Sequence, residues 1–131
     1  MGRVVLDSTV VIDLLRGRQE ARERLRRLYL ADDEPYINAV VALEVSEGLR
    51  PRERDAAAGL FEGLGTAPLG IGEGRLAGWW RQRYLRRGRT LQHGDCLIGA
   101  SAVSLGARLA TGNPKDFPME GLVVEHWPVG A

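Results

Sequence analysis

The chain has 131 residues, a net charge of +1 and a single cysteine, Cys96. This length suits one domain, residues 1–131, that buries about two thirds of its unfolded surface. A lone cysteine excludes an intrachain disulfide, and no apolar run reaches the ~18 residues that a membrane helix needs. We therefore expect a cytoplasmic protein that makes no membrane contact.

The first quarter of the chain alternates a strand pattern with helical patterns. Residues 3–6 form a short β-branched run that is typical of a buried strand. Apolar residues then recur at helical spacing over residues 10–15 and 19–30. A second short strand is predicted at residues 36–37.

The middle of the chain begins with Asn38, which we expect to cap a helix over residues 39–49. A further helix is predicted from residue 51 to about residue 63, because proline is tolerated in a first helical turn. A weak strand at residues 66–69 precedes a helix over residues 72–87.

The last third contains an apolar helix over residues 96–105, which Gly106 ends. A strand follows at residues 107–111, then a turn at 113–116 and a last strand at 122–125. Strands that alternate with helices in this way predict a parallel sheet covered on both faces. The predicted fold class is therefore α/β, as one three-layer α/β/α domain.

Four acidic residues stand where an apolar run ends, in a turn, or at a helix: Asp7, Glu44, Asp95 and Asp116. Asp7 directly follows the first strand, and ligands of open parallel sheets bind at the carboxyl ends of the strands. Convergent carboxylates repel one another unless a divalent cation neutralises them. The pattern therefore suggests a Mg²⁺ or Mn²⁺ site, for which phosphoester chemistry is the natural use.

Each of these acids also has an ordinary structural interpretation. Asp95 could be only the N-cap of its helix, and Asp116 only a turn residue. Glu44 lies among apolar neighbours, where a carboxylate is costly unless it is hydrogen-bonded or binds a cation. Thr111 and Asn113 flank the end of a predicted strand, where they could position a carboxylate or a water, or simply form the turn.

Other catalytic chemistries fit the sequence less well. His93 and His126 have no zinc-ligand spacing to each other or to Cys96. No glycine-rich phosphate loop follows the first strand. The sequence therefore predicts neither a zinc enzyme nor a nucleotide-binding loop.

Arginines cluster at residues 16–27 and 81–89. In the first cluster, Glu20 and Glu23 interleave the arginines and could form helical ion pairs with them. The second cluster has five arginines and no acid, so it is the better candidate for a phosphate-backbone contact. Trp79 and Trp80 could stack bases, but adjacent residues cannot share one helix face, so we expect at least one of them in the core.

Four segments of the chain, residues 6–15, 44–48, 95–100 and 109–117, together resemble PIN-domain proteins. The resemblance is strongest to the ribonuclease toxins of VapBC toxin–antitoxin pairs and extends from about residue 5 to residue 124. It implies a homodimeric endoribonuclease that depends on Mg²⁺ or Mn²⁺ and cuts RNA. It also implies a cognate antitoxin that inserts a peptide into the active-site groove. The implied catalytic and metal-binding residues are Asp7, Glu44, Asp95 and Asp116, with Thr111 and Asn113 as supporting residues.

Three positions depart from the usual family pattern. Thr9 stands where asparagine is usual, Asn38 where a serine is common, and Gly112 where a larger, often basic, residue is usual. All four acids are present. The departures therefore concern how RNA is positioned rather than whether a metal is bound.

Two other functions remain open on the sequence. One is a phosphohydrolase that forms an aspartyl phosphate on Asp7, although many such enzymes need a second acid where this chain has Thr9. The other is a non-catalytic PIN-like module that binds RNA or protein. The RNA target itself depends on the shape of the groove, which the sequence does not specify.

Overall fold

A computed structural model describes residues 2–131 and contains a five-stranded sheet in which every strand pair is parallel. In space the strands follow the order β3-β2-β1-β4-β5. The predicted α/β class and parallel sheet are confirmed. Met1, the first residue of the predicted 1–131 domain, lies outside the described residues. The strands are β1 (Arg3–Leu6), β2 (Glu34–Ile37), β3 (Gly65–Thr66), β4 (Arg108–Thr111) and β5 (Val124–His126).

Six α-helices and two short 3₁₀ turns connect the strands of residues 2–131. The 3₁₀ turns are Pro51–Glu53, before the fourth helix, and Pro114–Asp116, after β4. Within the described part of the chain, no helix is both long and apolar enough to cross a membrane. The helices are α1 (Ser8–Leu15), α2 (Gln19–Leu30), α3 (Ala39–Glu47), α4 (Arg54–Glu62), α5 (Ile71–Arg86) and α6 (His93–Leu105).

Several predicted boundaries shift in the structure. The weak strand predicted at 66–69 is only the two-residue β3, because Pro68 has no N–H to donate to a neighbouring strand. The third helix ends at Glu47, with Gly48 as its C-cap. The last strand begins two residues later and ends one residue later than predicted. The sixth helix begins at His93, three residues earlier than predicted.

β1 is the central strand, and this explains its composition. Val4, Val5 and Leu6 are all fully buried, because β2 and β4 flank the strand and helices cover both faces of the sheet. A strand buried on both faces has a continuous apolar run rather than alternating polar residues. The short run at the start of the sequence is therefore the middle of the core.

The order of the strands creates a crevice at the carboxyl end of β1. From β1 the chain moves outward to β2 and β3, and then it returns to β4 on the other side of β1. When the strand order reverses in this way, right-handed crossovers place the helices before and after the reversal on opposite faces of the sheet. A gap then remains between the two strands at which the order reverses. Here these strands are β1 and β4, and the residues after them border the gap.

Asn38 joins two helices that border this gap. Its side-chain carbonyl accepts a hydrogen bond from Val41 N–H at 3.0 Å, which confirms the predicted N-cap of α3. Its Nδ2 donates to the hydroxyl of Ser101 in α6 at 2.9 Å, and that hydroxyl donates to the Pro68 carbonyl. This buried network fixes α3, which carries Glu44, against α6, which carries Asp95.

Candidate acidic site

Asp7 lies at the carboxyl end of the central strand, and its side chain is only 4% exposed. Its Oδ1 accepts a hydrogen bond from Ser8 N–H at 2.8 Å, so the carboxylate is the N-cap of α1. Its Oδ2 accepts from the hydroxyls of Thr111 at 2.7 Å and Thr9 at 3.0 Å. A buried carboxylate is costly unless it is hydrogen-bonded, and these three donors satisfy Asp7.

The loop after β4 orients both threonine hydroxyls. Gly112 N–H donates to Thr9 Oγ1 at 2.9 Å, and Asn113 N–H donates to Thr111 Oγ1 at 3.0 Å. Each hydroxyl thus accepts from a backbone N–H and directs its own proton to Asp7. The contact that Asn113 makes to this network is through its backbone, whereas the sequence suggested its side chain.

Glu44 in α3 is half-buried and lies close to Ser8 and Asp7. Burial raises the pKa of Glu44, a hydrogen bond from Ser8 opposes this rise, and the Asp7 and Glu47 carboxylates add to it. Glu47, one turn later, is itself exposed, which agrees with the interpretation of Glu47 as a solvated residue. Glu44 is therefore the acid of this helix that points toward the site.

Asp95 is in the first turn of α6 and is partly buried. It is not an N-cap, because the helix begins at His93 and Gln92 occupies the cap position. Burial is the largest cause that raises the pKa of Asp95, followed by the carboxylates of Asp116, Asp7 and Glu44 in that order, and together they bring it to about 7. All three other candidate acids therefore act on Asp95, which makes it the electrostatic centre of the cluster.

Asp116 ends the 3₁₀ turn that follows β4, and its side chain is exposed. Among the neighbouring charges it makes the largest contribution to the raised pKa of Asp95. No group of three or more His, Cys, Asp or Glu side chains among residues 2–131 is close enough together to hold one ion. The four acids thus form an open, coupled cluster, in which one or two carboxylates at a time could contact a cation.

Two small residues of the site were missed from the sequence. The single proton of the Ser8 hydroxyl is shared between Glu44 and Asp7 Oδ1, which lies 3.4 Å from Ser8 Oγ. The place of Ser8 directly after Asp7 was the available signal. At Gly94, a Cβ would come within 2.8 Å of Glu44 Oε2. The absent side chain therefore lets Glu44 approach the start of α6. Glycine inside a helix costs stability, so its presence before Asp95 was the signal.

The second arginine cluster lies at the end of α5 and in the loop that leads to α6. Arg89 donates to the carbonyl of Lys115, next to Asp116, which brings the cluster to the border of the acidic site. The second cluster has no acid within its own segment, but Glu120 approaches it in space. A carboxylate oxygen of Glu120 lies 3.8 Å from a guanidinium nitrogen of Arg83, and the other lies 3.9 Å from one of Arg87.

The first arginine cluster forms helical ion pairs along α2, as the interleaved glutamates suggested. Glu20 pairs with Arg24 at 3.5 Å, and Glu23 pairs with Arg26 at 3.1 Å and Arg27 at 3.7 Å.

The two adjacent tryptophans of α5 separate as expected. Trp80 is buried in the core, whereas Trp79 is 57% exposed. The guanidinium of Arg75 lies 5.1 Å from the centre of the Trp79 ring. Trp79 is therefore the only one of the pair that a binding partner could contact.

Together the fold and the site define a parallel α/β/α domain with coupled carboxylates at the carboxyl ends of its central strands. The sequence profile of the PIN domain matches residues 4–118. The chain therefore belongs to the PIN domain family, as the resemblance in the sequence implied.

Two similar proteins of Mycobacterium tuberculosis are named as ribonucleases. Ribonuclease VapC19 is 30% identical over 115 residues, which cover 88% of this chain and 92% of VapC19. Ribonuclease VapC10 is 34% identical over 117 residues, which cover 88% of this chain and 86% of VapC10.

Similar folds occur in crystal structures of VapBC assemblies. DNA-bound VapBC from Salmonella typhimurium matches with a TM-score of 0.84 and 22% identity, covering 97% of this chain and 99% of the matched chain. VapBC2 from Rickettsia felis, bound to a promoter DNA fragment, matches with a TM-score of 0.82 and 20% identity, covering 95% and 98%. At these identities the comparison establishes the fold, including its three layers.

Asp95→Asn should flatten the pH dependence of stability in the metal-free protein. The pKa of about 7 in the folded state exceeds the ordinary value of 3.8. The folded state therefore binds this proton more tightly, and the resulting stabilisation is full below about pH 4 and is lost as the pH rises through about 7. We expect the melting temperature in EDTA to fall less between pH 4 and pH 8 in the variant than in the wild type. Asp55→Asn, at an exposed acid of α4, is the control, and an equal fall in both variants would contradict the raised pKa.

Proposed function

We propose that this protein is an endoribonuclease that depends on Mg²⁺ or Mn²⁺ and is the toxin of a toxin–antitoxin pair. The observation that carries the proposal is the coupling of Asp7, Glu44 and Asp116 to Asp95 at the carboxyl edge of the sheet. The names of the relatives VapC19 and VapC10 support the ribonuclease activity. The likeness to VapBC assemblies supports the antitoxin partner.

The donor chemistry of the site fits a hard divalent cation. All four candidate ligands are carboxylates, and the proton that Asp95 retains near neutral pH reflects burial and negative charge that a cation would offset. Mg²⁺ commonly binds through one or two carboxylates and keeps several waters. In this proposal Asp7 and Asp95 are the main ligands, and Glu44 and Asp116 would act on the bound cation through water. The bound metal would activate a water for attack on an RNA phosphodiester.

The chain's own residues hold this arrangement in place. Thr9 and Thr111 fix the rotamer of Asp7 by donating to the same carboxylate oxygen. Ser8 restrains Glu44, and the Asn38 network fixes the helices of Glu44 and Asp95 against each other. Because cation binding must displace the proton from Asp95, we expect metal affinity to rise as the pH approaches neutrality.

The two rival functions are less well supported by the site. For an aspartyl-phosphate enzyme, the residue two positions after the nucleophile would be an acid, but Thr9 there donates a hydrogen bond to Asp7. A hydroxyl that donates to a carboxylate lowers its nucleophilicity. A non-catalytic module would have no need for four coupled acids. An assay of RNA cleavage distinguishes such a module from an enzyme.

We propose that RNA approaches along the arginines at the end of α5. Arg81 donates to the Leu91 carbonyl and Arg89 to the Lys115 carbonyl, so these two shape the loop beside the site. Arg83, Arg86 and Arg87 lie on exposed helical surface or at its C-cap and can reach phosphates. An RNA substrate and a regulatory partner of this kind agree with the cytoplasmic location expected from the sequence.

We also propose where the antitoxin binds. A groove of about 330 Å³ lies between α1, whose N-cap is Asp7, and α3, which carries Glu44. Its apolar lining includes Ile12, Leu15 and Leu49, and its charged lining has two arginines and one acid, namely Arg16, Arg50 and Glu53. An antitoxin peptide with apolar anchors and an acidic residue would fit this lining. For the homodimer that the resemblance implies, the exposed apolar side chains of α5 are the candidate interface.

Asp7→Asn should abolish RNA cleavage, because it removes a ligand charge. The protein should still fold but with a lower melting temperature, because the amide replaces one of the two buried oxygens that accept hydrogen bonds. Losing metal activation costs several kcal/mol of transition-state stabilisation, so we expect kcat/KM to fall at least about a hundredfold. Cleavage of single-stranded RNA with Mn²⁺ and with EDTA is the measurement, and Asp55→Asn is the control for folding and general charge. An Asp7→Asn protein that cuts RNA at the wild-type rate would contradict the proposed mechanism.

Replacing Arg83, Arg86 and Arg87 by Gln should weaken RNA binding at every sequence. Each phosphate contact to a single strand contributes about 0.7 to the slope of log affinity against log salt. We therefore expect the triple variant to reduce this slope by up to about 2. Fluorescence anisotropy with labelled RNA at several salt concentrations measures it.

A matched control uses three arginines of α2. Two glutamates of α2 form ion pairs with Arg24, Arg26 and Arg27, whereas Arg83 and Arg87 share the single carboxylate of Glu120. Replacing the three α2 arginines by Gln removes the same formal charge but should leave the slope unchanged. Equal slopes in the two triple variants would show that the cluster at the end of α5 does not contact RNA.

Expression of this gene alone should arrest bacterial growth, and co-expression with its cognate antitoxin should restore it. The reason is that an unregulated endoribonuclease cuts the RNA of its own cell. Colony counts under induced and repressed expression measure the effect, with Asp7→Asn as the inactive control. A harmless gene whose purified product cuts RNA would refute the toxin assignment and leave the chemistry standing.

A further inference from the structure

The segment after β5, residues 127–131, packs beside the candidate site. Trp127 N–H donates to the carbonyl of Thr111 at 2.9 Å, so the segment passes the last residue of β4. At its other end, Glu20 N–H donates to the carbonyl of Ala131 at 3.1 Å. The segment is thus fixed at one end to β4 and at the other end to the start of α2.

Asp13 is a buried carboxylate that the proposed chemistry does not use. It is 4% exposed, and its Oδ2 accepts a hydrogen bond from Gly130 N–H at 2.8 Å. Asp13 follows Thr9 by four residues in α1, so the two side chains share one face of the helix. That face therefore presents a carboxylate to Gly130 and a hydroxyl to Gly112.

Gly112 is the residue of the candidate site against which the segment of residues 127–131 packs. A Cβ on Gly112 would clash with Cγ2 of Val129, and it would come within 3.2 Å of Thr9 Oγ1 and 3.3 Å of the Trp127 carbonyl. Val129 therefore fills the space that a side chain at position 112 would take. A larger side chain at position 112, as is usual in PIN-domain proteins, would require Val129 to move.

We propose that Asp13 is a positioning residue of the site. By holding Gly130, its carboxylate keeps Val129 against Gly112, and Gly112 in turn keeps its N–H on the hydroxyl of Thr9. Because Thr9 Oγ1 accepts the hydrogen bond from Gly112 N–H, the Thr9 hydroxyl directs its own proton to Asp7 Oδ2. The catalytic consequence rests on the proposed function, whereas the linkage from Asp13 to Gly112 does not.

The test compares Asp13→Ala, which removes the acceptor for Gly130, with Asp13→Asn, which keeps an acceptor oxygen in the same place. Hydrogen exchange of the Gly112 amide, measured by NMR, should be about tenfold faster in Asp13→Ala and close to wild type in Asp13→Asn. For RNA cleavage, Asp13→Ala should lower kcat about tenfold with little change in KM, because it disturbs the reacting geometry and no RNA contact. Asp55→Ala is the control for loss of an acid.

Unchanged Gly112 exchange and unchanged kcat in Asp13→Ala would overturn the proposal. In another outcome, the wild-type protein cuts no RNA, but the Gly112 amide exchanges faster in Asp13→Ala and at the wild-type rate in Asp13→Asn. This result would support the positioning role of Asp13 and overturn the proposed function instead. If Asp13→Ala does not fold, Gly112→Ala is compared with the double variant Gly112→Ala/Val129→Ala. The single variant should lower kcat and the double variant should recover it, and equal kcat values would overturn the proposal.

Discussion

The rest of the site depends on the burial of the Asp7 carboxylate at the end of the central strand. β1 pairs with β4 so that Leu6 lies opposite Ala110, and Asp7 N–H continues the ladder to the Ala110 carbonyl. This register places Thr111 level with Asp7, where its hydroxyl donates at 2.7 Å. A carboxylate buried in this way must have donors. The start of α1 and the paired strand β4 supply them, and the loop after β4 orients the two threonine hydroxyls.

The remaining acids are arranged around this fixed group by the packing of α3 and α6. The buried Asn38 and Ser101 side chains join the two helices, and Gly94 lets Glu44 approach the start of α6. The pKa of Asp95 rises to about 7 because burial and like charges act on the same carboxyl. Such a group costs stability in the metal-free protein. Perturbed carboxyls of this kind are concentrated at functional sites.

The two arginine clusters show why formal charge is a poor guide to a binding surface. Their arginine content is similar, but the arginines of α2 are matched by Glu20 and Glu23 on the same helix. At the end of α5, Glu120 approaches Arg83 and Arg87 from a distant part of the chain. Two of the five arginines there bind backbone carbonyls and shape the loop between the basic surface and the acidic site. The sequence therefore locates the positive charge, and packing determines how much of it faces solvent.

The sequence by itself determined the features that depend on neighbouring residues. The apolar run of β1, the cap at Asn38 and the left-handed Gly106 that ends α6 all follow from backbone preferences over a few residues. The four acids were also visible, because each interrupts or borders an apolar pattern. In contrast, only the tertiary structure decided that Asp95 lies inside its helix, that β3 has two residues, and that Val129 fills the space beside Gly112. These features depend on groups far apart in the chain, whose contacts are set by strand order and helix packing rather than by local spacing.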